Sequence, residues 1–309
     1  CFHFQFHYLP AMWGRWLAGA AAMFMLIAIL SGVITHKKIF IDFFTFRGRK
    51  GQRSWLDAHN ALSVLGLTFH AMITYTGLVT LMALYMPWGD QAALGTPALK
   101  RQHNEQMSAF LPAARPTGVK ADLAPVGPMV REAQARWGAD NVARIAVNNP
   151  GDASARVSLT RGEQGRVSTS PQVLVFDGPS GRLLEARDAV GSAAETRGVM
   201  YALHLGRFGD VPMRWLYFLV SLAGTAMVGT GLVMWTVKRR ARLADPERPH
   251  IGFILVERLN IATIAGLSLA MAGMLHANRL LPLDLAGRAN REIDVFFAVW
   301  ALSLLHAIV

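Results

Sequence analysis

The sequence is poor in cysteine and in charge. Cys1 is the only cysteine among 309 residues. This excludes a disulfide framework, an iron–sulfur cluster held by this chain alone, and covalent haem attachment through a C-x-x-C-H motif. Only 17% of the residues are charged, whereas 52% are hydrophobic, and several uncharged runs are long enough to cross a bilayer. A soluble enzyme is therefore excluded.

Acidic residues are scarce relative to basic ones. The chain has 31 Lys and Arg against 20 Asp and Glu, which gives a formal net charge of +11. Such a balance can indicate nucleic-acid binding, but in a membrane protein the basic residues collect in the cytoplasmic loops. We therefore expect a lipid bilayer and no nucleic acid as a partner.

Five apolar runs predict membrane spans, at about Met12–Thr35, Ala61–Met86, Trp215–Val237, Leu259–Asn278 and Val295–Val309. The last run rises only ~22 Å, which is short of the ~30 Å hydrocarbon core. The sequence also begins with Cys1 and not with methionine. We therefore expect the natural protein to continue in both directions.

The loops predict the orientation of these spans. Basic residues concentrate between spans one and two and after span three: Lys37, Lys38, Arg47, Arg49, Lys50 and Arg53, then Lys238, Arg239, Arg240, Arg242 and Arg248. The positive-inside rule places both loops in the cytoplasm. Residues 87–212 then lie outside, in the periplasm of a Gram-negative cell. The predicted domains are 1–86 with two spans, 87–212 as an external module, and 213–309 with three spans.

The external segment has the pattern of a small α+β module. An amphipathic helix is predicted over Ala124–Trp137, followed by strands at Arg144–Val147, Ala155–Leu159 and Gln172–Phe176, and a turn at Asp177–Gly181 before a fourth strand from Arg182. Gly89–Pro128 is rich in Pro, Ala and Gly and is predicted to be irregular. The expected fold class is an all-α polytopic membrane helix bundle with an inserted periplasmic α+β module. Nothing in the module resembles a catalytic motif.

Candidate chemistry is confined to the ten histidines, most of which lie in or near the spans. An ionisable residue inside a membrane indicates function by default, because burying it unpaired is costly. The alternative for a single histidine is a hydrogen bond to a neighbouring helix. No H-E-x-x-H motif is present, which disfavours a zinc protease of that type. Imidazoles without adjacent carboxylates suit haem iron better than a hard cation.

Span two carries the clearest pattern. His59 and His70 are eleven residues apart, so they share a helix face at a separation of ~16 Å. Gly66 and Gly77 each follow one of these histidines by seven residues on that face. A glycine near an axial histidine lets a flat macrocycle approach the backbone, although such glycines also serve helix packing. We expect two haems stacked through the bilayer.

Depth suggests further axial ligands. His36 ends span one at the level of His59, and His306 reaches a depth similar to that of His70. On the outer side, His7 precedes span one and His204 precedes span three, while His276 ends span four. Two bis-histidine haems need four ligands, and the pairing among His7, His36, His59, His70, His204 and His306 stays open.

Several motifs resemble one known family, the PepSY-associated transmembrane proteins. They are Phe2-His3-Phe4-Gln5-Phe6-His7-Tyr8, Trp13-Gly14-Arg15-Trp16, Ser31-Gly32-Val33-Ile34-Thr35-His36-Lys37-Lys38, Gln52-Arg53-Ser54-Trp55-Leu56-Asp57-Ala58-His59-Asn60, Tyr75-Thr76-Gly77-Leu78 and Leu203-His204-Leu205-Gly206-Arg207-Phe208. Within the family the likeness is greatest to the FoxB-type siderophore reductases of the inner membrane. The external module is similar to a PepSY domain in its order of elements.

This resemblance implies a di-haem b inner-membrane reductase, an oxidoreductase that reduces a ferric siderophore such as ferrioxamine on the periplasmic side. It implies two haem b groups as cofactors and a quinol or a cytoplasmic reductase as the electron donor. Iron is released because hard oxygen ligands hold Fe(II) far more weakly than Fe(III). Family members carry a further membrane helix, with a histidine at its start, before the position of Cys1, and His276 lies outside the family pattern.

Two other functions compete with this interpretation. A siderophore or metal transporter could use the histidines as a relay, but spans two and three lack the broken or charged midsections typical of substrate pathways. A regulatory protein whose external module binds a partner would leave the buried histidines unexplained. Absorption bands of a reducible haem would distinguish the reductase from both.

The predicted orientation can be tested by cysteine labelling. A cysteine at Gly51 should resist impermeant thiol reagents in intact cells, because the basic loop is cytoplasmic, whereas one at Glu163 should react. The reverse labelling pattern would overturn the orientation.

Overall fold

The computed structural model describes residues 10–36, 38–44, 52–107, 114–139, 141–188 and 190–308. The predicted ligand His7 lies outside these ranges, as do four residues of the basic loop, Lys37, Arg47, Arg49 and Lys50. The chain divides into two compact units. The first comprises Cys1–Ala18, Ala28–Thr68 and Val220–Val309, and the second comprises Gly19–Ile27 and Phe69–Leu219.

The described chain is mostly helical. The helices before the sheet are α1 (Ala11–Thr35), α2 (Ile39–Asp42), α3 (Gln52–Thr80), α4 (Met82–Tyr85), α5 (Pro87–Ala93), α6 (Pro97–Met107) and α7 (Val126–Trp137). Those after it are α8 (Ser192–Leu205), α9 (Val211–Arg240), α10 (Ile251–Ile261), α11 (Leu267–Leu280) and α12 (Arg288–Ile308), with a π-helical turn, Ala262–Gly266, joining α10 to α11. The strands are β1 (Val142–Asn148), β2 (Arg156–Arg161), β3 (Val173–Asp177) and β4 (Leu183–Arg187).

Four helical segments are long and apolar enough to cross a membrane: Met12–Thr35, Arg53–Thr80, Val211–Arg240 and Ile251–Leu280. They correspond to the first four predicted spans. The fifth predicted span lies on α12, which is a regular helix but is not among the four, since its first turns carry Arg288, Arg291, Glu292 and Asp294. The fold is therefore a helical membrane protein with a small α+β module, as predicted.

The predicted end of span two was wrong. Helix α3 ends at Thr80 and not at Met86, and a short helix follows it. Leu81 leaves the helical region, at φ −116° and ψ 17°, and so separates α3 from the short helix α4. Met86 leaves it again, at φ −130° and ψ 64°, because the ring of Pro87 drives the preceding residue out of the α conformation. The apolar run is therefore two helices and not one.

The predicted irregular connection over Gly89–Pro128 was also wrong in part, because it contains most of α5 and all of α6. Pro87 and Pro97 are the first residues of these two helices. Proline is well tolerated at that position, since the missing N–H is not needed there. The Pro-rich composition therefore marks helix starts and not an absence of structure.

The α+β module belongs to the second unit, and its sheet is an antiparallel meander in the order β1-β2-β3-β4. One face of α7 packs against β2 and β3, and the buried core comprises Met129, Ala133, Trp137, Val157, Leu159, Leu174 and Phe176. Met129, Ala133 and Trp137 are spaced four residues apart and so lie on one helix face. The predicted helix and meander are confirmed.

The predicted turn between the third and fourth strands is also confirmed. The Asp177 carboxylate accepts hydrogen bonds from the Ser180 backbone N–H at 3.1 Å and from the Ser180 hydroxyl at 2.6 Å. Gly181 adopts φ +70°, which glycine reaches without strain. Arg156 donates to the same carboxylate at 2.7 Å and thereby connects the turn to β2.

In the first unit, α10, the π-helical turn and α11 pack against α12. The indole N–H of Trp300 donates to the carbonyl of Ala262 at 3.0 Å. Gly273 lies so close to α12 that a Cβ there would be 3.1 Å from Val299 Cγ2. Arg240 at the end of α9 donates two hydrogen bonds to the Glu257 carboxylate of α10, at 3.0 and 2.5 Å. A paired charge and close small-residue contacts thus join these helices.

Three carboxylates of the second unit should make the module sensitive to acid. Ser154 and Thr117 donate to Asp152 and hold the pKa of that carboxyl well below its usual range. Ser180 lowers the pKa of Asp177, and Ser170 lowers that of Glu195. A lowered carboxyl pKa contributes stability above the unfolded-state value, near 4, and the contribution is lost as the pH falls below it.

We therefore expect the module to become susceptible to proteolysis as the pH drops below about 4. Asp152→Asn should destabilise it at neutral pH and reduce the acid dependence, as measured by pepsin cleavage across the acid range. Asp122→Asn, at an exposed carboxylate nearby, is the control. Equal acid sensitivity of the Asp152→Asn variant and the unmodified protein would show that this carboxylate does not matter.

Candidate functional site

His204 is placed by the end of helix α8. The helix stops at Leu205 because Gly206 takes a left-handed conformation, at φ 63° and ψ 18°, and its N–H bonds the carbonyl of Ala202 at 2.8 Å. The Tyr201 hydroxyl donates to the Thr80 carbonyl of α3 at 2.6 Å. These contacts lie within the second unit, and they hold the last turn of α8 against the end of α3.

The imidazole of His204 is fixed through one nitrogen. Its Nδ1 lies 3.0 Å from the Ile73 carbonyl oxygen and 3.4 Å from the Thr76 hydroxyl. A carbonyl only accepts, so Nδ1 carries the proton and Nε2 keeps a lone pair. Among the described residues no hydrogen bond reaches His204 Nε2. The Thr76 hydroxyl itself donates to the Met72 carbonyl at 2.8 Å, and its side chain is buried.

Gly77 explains why the imidazole can lie so close to α3. A Cβ at Gly77 would be 2.8 Å from His204 Cε1 and 3.3 Å from Nδ1. Any side chain at this position would therefore push the ring off the Ile73 carbonyl. The structure shows that Gly77 admits the imidazole of His204, while its predicted role in admitting a macrocycle stays a prediction.

His59 occupies an equivalent position in the first unit. Its Nδ1 lies 3.1 Å from the Thr230 hydroxyl of α9. That hydroxyl has two carbonyl acceptors for its own hydrogen, Ala226 at 2.9 Å and Met227 at 3.0 Å, which leaves its oxygen to accept from His59 Nδ1. A Cβ at Gly231 would be 3.1 Å from His59 Cε1. The half-buried His59 therefore also carries its proton on Nδ1 and leaves Nε2 as an electron-pair donor.

The sequence contained a signal for this arrangement that the sequence analysis missed. Thr76-Gly77-Leu78-Val79 and Thr230-Gly231-Leu232-Val233 are the same four residues. Each Thr-Gly pair contacts one histidine through a threonine hydroxyl and a glycine backbone. The repeat marks two histidine seats, one in each unit, which we call the Thr230 seat for His59 and the Thr76 seat for His204.

Among the described candidate histidines, His70 is the most deeply buried, with 7% of its surface exposed. The edge of its ring contacts Phe69, which in turn meets Tyr217 edge to face, with ring centroids 5.6 and 4.9 Å apart. Within the described ranges its Nε2 is buried and has no hydrogen-bond partner. A buried polar atom without a hydrogen-bond partner lowers the free energy of unfolding by about 1–3 kcal/mol, so a ligand for His70 Nε2 is expected.

The remaining predicted residues are not brought together by the described structure. His36 is exposed at the end of α1, where its N–H bonds the Gly32 carbonyl at 2.9 Å. His306 is exposed on α12, and Gly66 is buried on α3. Between residues 10 and 308, with the gaps given above, no hydrogen bond connects His36 or His306 to another candidate.

The donor set of these histidines fits haem iron better than a free metal ion. In the part of the chain that the structure describes, no group of three or more His, Cys, Asp or Glu side chains is placed to hold a metal ion. Haem needs only one imidazole nitrogen on each side of its iron. A metal-bound histidine usually donates its other ring N–H to a protein group, which fixes the tautomer. His59 and His204 meet both requirements. His70 meets the first, since its buried Nε2 has no hydrogen-bond partner among the described residues.

The chain matches a known protein family. The profile of the PepSY-associated TM region matches residues 1–238. The chain is also similar to an uncharacterized protein of Pseudomonas aeruginosa, with 25% identity over 317 aligned positions that cover 96% of this chain and 75% of that protein.

The two glycine contacts can be tested by substitution. Gly77→Ala should displace the His204 ring and destabilise the protein by about 1–3 kcal/mol, because the new methyl group overlaps the ring. Gly231→Ala should displace the His59 ring in the same way but destabilise the protein less. A Cβ at Gly231 would be 3.1 Å from the ring, compared with 2.8 Å at Gly77. Thermal unfolding in detergent measures both effects.

Gly32→Ala is the matched control, because it lies in a membrane helix and no atom stands within 4 Å of its added Cβ. If all three variants unfolded at the same temperature, the glycine contacts would not hold the histidines.

Proposed function

Because the chain belongs to the PepSY-associated transmembrane family, we propose that it is a di-haem b reductase of the bacterial inner membrane. In this proposal it passes electrons across the membrane to a ferric siderophore, such as ferrioxamine, and releases Fe(II) in the periplasm. The likeness to FoxB-type reductases in the histidine motifs supports this choice within the family. The basic loops support an orientation that places the α+β module outside.

The observation that carries the proposal is the state of the two seated imidazoles. His59 and His204 each use Nδ1 for a hydrogen bond to protein, at 3.1 and 3.0 Å, and each is left with a free lone pair on Nε2. A histidine that only joined two helices would gain most by bonding through both nitrogens. An axial ligand requires one ring nitrogen that is fixed by a hydrogen bond to protein and a second nitrogen whose lone pair can bind iron.

His59, His70 and His204 would hold the haem irons through Nε2. Bound haem supplies one-electron oxidation and reduction, which a chain without cysteine pairs cannot supply from its own side chains. The protein's own part is to fix each tautomer through Thr230 and Ile73 and to keep the rings against glycine. His59 and His70 lie eleven residues apart on α3, a rise of ~16 Å, so they belong to different haems.

The substrate chemistry explains why reduction releases iron. Hydroxamate oxygens are hard ligands that favour Fe(III), and the affinity falls steeply once the metal is Fe(II). One electron per siderophore is sufficient, and no bond in the siderophore needs to break. The chain therefore needs no nucleophile or general base, which agrees with the lack of a catalytic motif in the sequence of the module.

The histidine assignment is tested by single substitutions. His59→Ala and His70→Ala should each remove roughly half of the bound haem, and the double variant nearly all of it, because each loss of an axial imidazole affects one site. His204→Ala should lower haem content or shift its spectrum while the protein still inserts in the membrane. Haem content per chain and reduction of ferrioxamine in membrane vesicles are the measurements.

His276→Ala is the control, since His276 is exposed on α11 and lies outside the family motifs. It should keep full haem and full reductase activity. If His59→Ala and His70→Ala also kept both, the axial assignment would be wrong and these residues would be structural.

A further inference from the structure

An apolar groove lies beside the Thr230 seat, entirely within the first unit. Its volume is about 920 Å³, and it runs along one face of α9, past the π-helical turn and the start of α11, with Trp55 of α3 at its side. The residues of α9 that line it include Leu222, Gly229 and Val233, which recur at helical spacing. A groove of this size is in the usual range for a small-molecule site.

The groove is built by two local features. Gly229 leaves space between α9 and the neighbouring span, since a Cβ there would meet only Ile264 Cγ2, at 4.0 Å. The π-helical turn directs Ala262 and Gly266 toward α12, where both are buried, and leaves Thr263 and Ile264 exposed on the groove. Single π-helical turns in α-helices are frequent at functional sites.

The polar atoms of the groove are uncharged, and they mainly accept hydrogen bonds. The hydroxyls of Thr225, Thr230 and Ser268 each donate to a carbonyl of their own helix, at 3.0, 2.9 and 3.0 Å. Each of these hydroxyls therefore keeps lone pairs that can accept a further hydrogen bond. None of the lining side chains is charged. The groove thus suits an uncharged, largely apolar molecule that carries O–H donors, and it offers no positive charge to the anionic headgroup of a phospholipid.

We propose that this groove binds an isoprenoid quinol, with its ring at Thr230 and its tail along α9, and that the quinol is the electron donor. A quinol hydroxyl on Thr230 would lie on the same oxygen that His59 Nδ1 approaches at 3.1 Å. The acceptor hydroxyls match the two phenolic O–H groups, and the apolar walls match the tail. This inference rests on the proposed reductase function and adds the donor to it.

The reaction balances with the siderophore as the oxidant. Oxidation of one quinol to the quinone breaks two O–H bonds and releases two protons and two electrons. The two electrons reduce two ferric siderophores, one Fe(III) to Fe(II) in each. In this proposal the two protons leave to water beyond the end of the groove at Trp55, which lies in the first turn of α3.

Binding can be measured on the full chain in nanodiscs without any redox assay, because Trp55 lines the groove and an aromatic ring bound against its indole changes the fluorescence. Decylubiquinol should quench part of the emission of the eight tryptophans, and Trp55→Phe should remove that part. Gly229→Phe fills the groove and should weaken binding by at least about tenfold. The dimethyl ether of the quinol, which lacks O–H donors, should bind more weakly than the quinol.

Leu219→Phe is the matched control, since it adds an aromatic ring on α9 at a residue that does not line the groove. It should bind decylubiquinol as the unmodified chain does. Equal quenching in Gly229→Phe, or no quenching at all, would overturn the quinol site and leave the groove to lipid acyl chains.

A second measurement separates this inference from the reductase function. Dithionite can reduce the purified protein before the assay and is then removed, so that only electrons stored on the protein reach the siderophore. Prereduced Gly229→Phe should be reoxidised by ferrioxamine as the unmodified chain is, but it should lose turnover with decylubiquinol in the presence of an Fe(II) chelator. If the prereduced unmodified chain were reoxidised by ferrioxamine but never turned over with decylubiquinol, the quinol donor would be wrong and the reductase would stand. If ferrioxamine did not reoxidise the prereduced chain, the reductase function itself would be wrong, and the quinol donor would fall with it, whether or not the groove binds quinol.

Discussion

The hydrogen bond at Nδ1 of each seated histidine is the interaction on which the rest of the account depends. It fixes the tautomer of His59 through Thr230 and that of His204 through the Ile73 carbonyl, and it leaves Nε2 with a lone pair. In the proposed function this second nitrogen binds haem iron. The helix contacts around each seat serve to keep this geometry.

Close approach between helices is a condition for these hydrogen bonds. Gly77 and Gly231 let a histidine from another helix lie against the backbone, with Cβ positions 2.8 and 3.1 Å from the ring. Small residues at membrane helix contacts normally serve van der Waals packing alone. In this protein the same residues also orient a polar ring. The module outside the spans achieves its stability differently, through a buried core of Met129, Phe176 and their neighbours.

Much of the fold could be predicted from the sequence, because apolar length and turn chemistry are local properties. Span one was predicted at the residues where it is found, and the meander of the module followed from alternating strands and the turn at Asp177. Two predictions failed. The second span ends at Thr80, where Leu81 leaves the helical conformation inside an apolar run, and Pro87 and Pro97 start helices in a region that composition alone marks as irregular. The division into domains stays a prediction.

The site was predictable in its histidines and in Gly77. Spacing on one helix singled out His59 and His70, and motif likeness singled out His204. The partners of these rings, Thr230 and Ile73, lie 171 and 131 residues away in the chain, and no local pattern reports such contacts. The repeated Thr-Gly-Leu-Val segment was the one available sign, and its meaning depends on knowing which helix each histidine faces. The groove at Gly229 likewise depends on tertiary packing and on a π-helical turn.

The central claim is that seated imidazoles hold two b-type haems, and the reduced-minus-oxidised absorption spectrum of the purified full chain tests it most directly. The account predicts reducible Soret and α bands of haem b, with two haems per chain by pyridine haemochrome, and a loss of haem in the His59→Ala/His204→Ala variant. Protein that is folded and inserted but carries no haem, or a double variant that keeps all of it, would contradict the account.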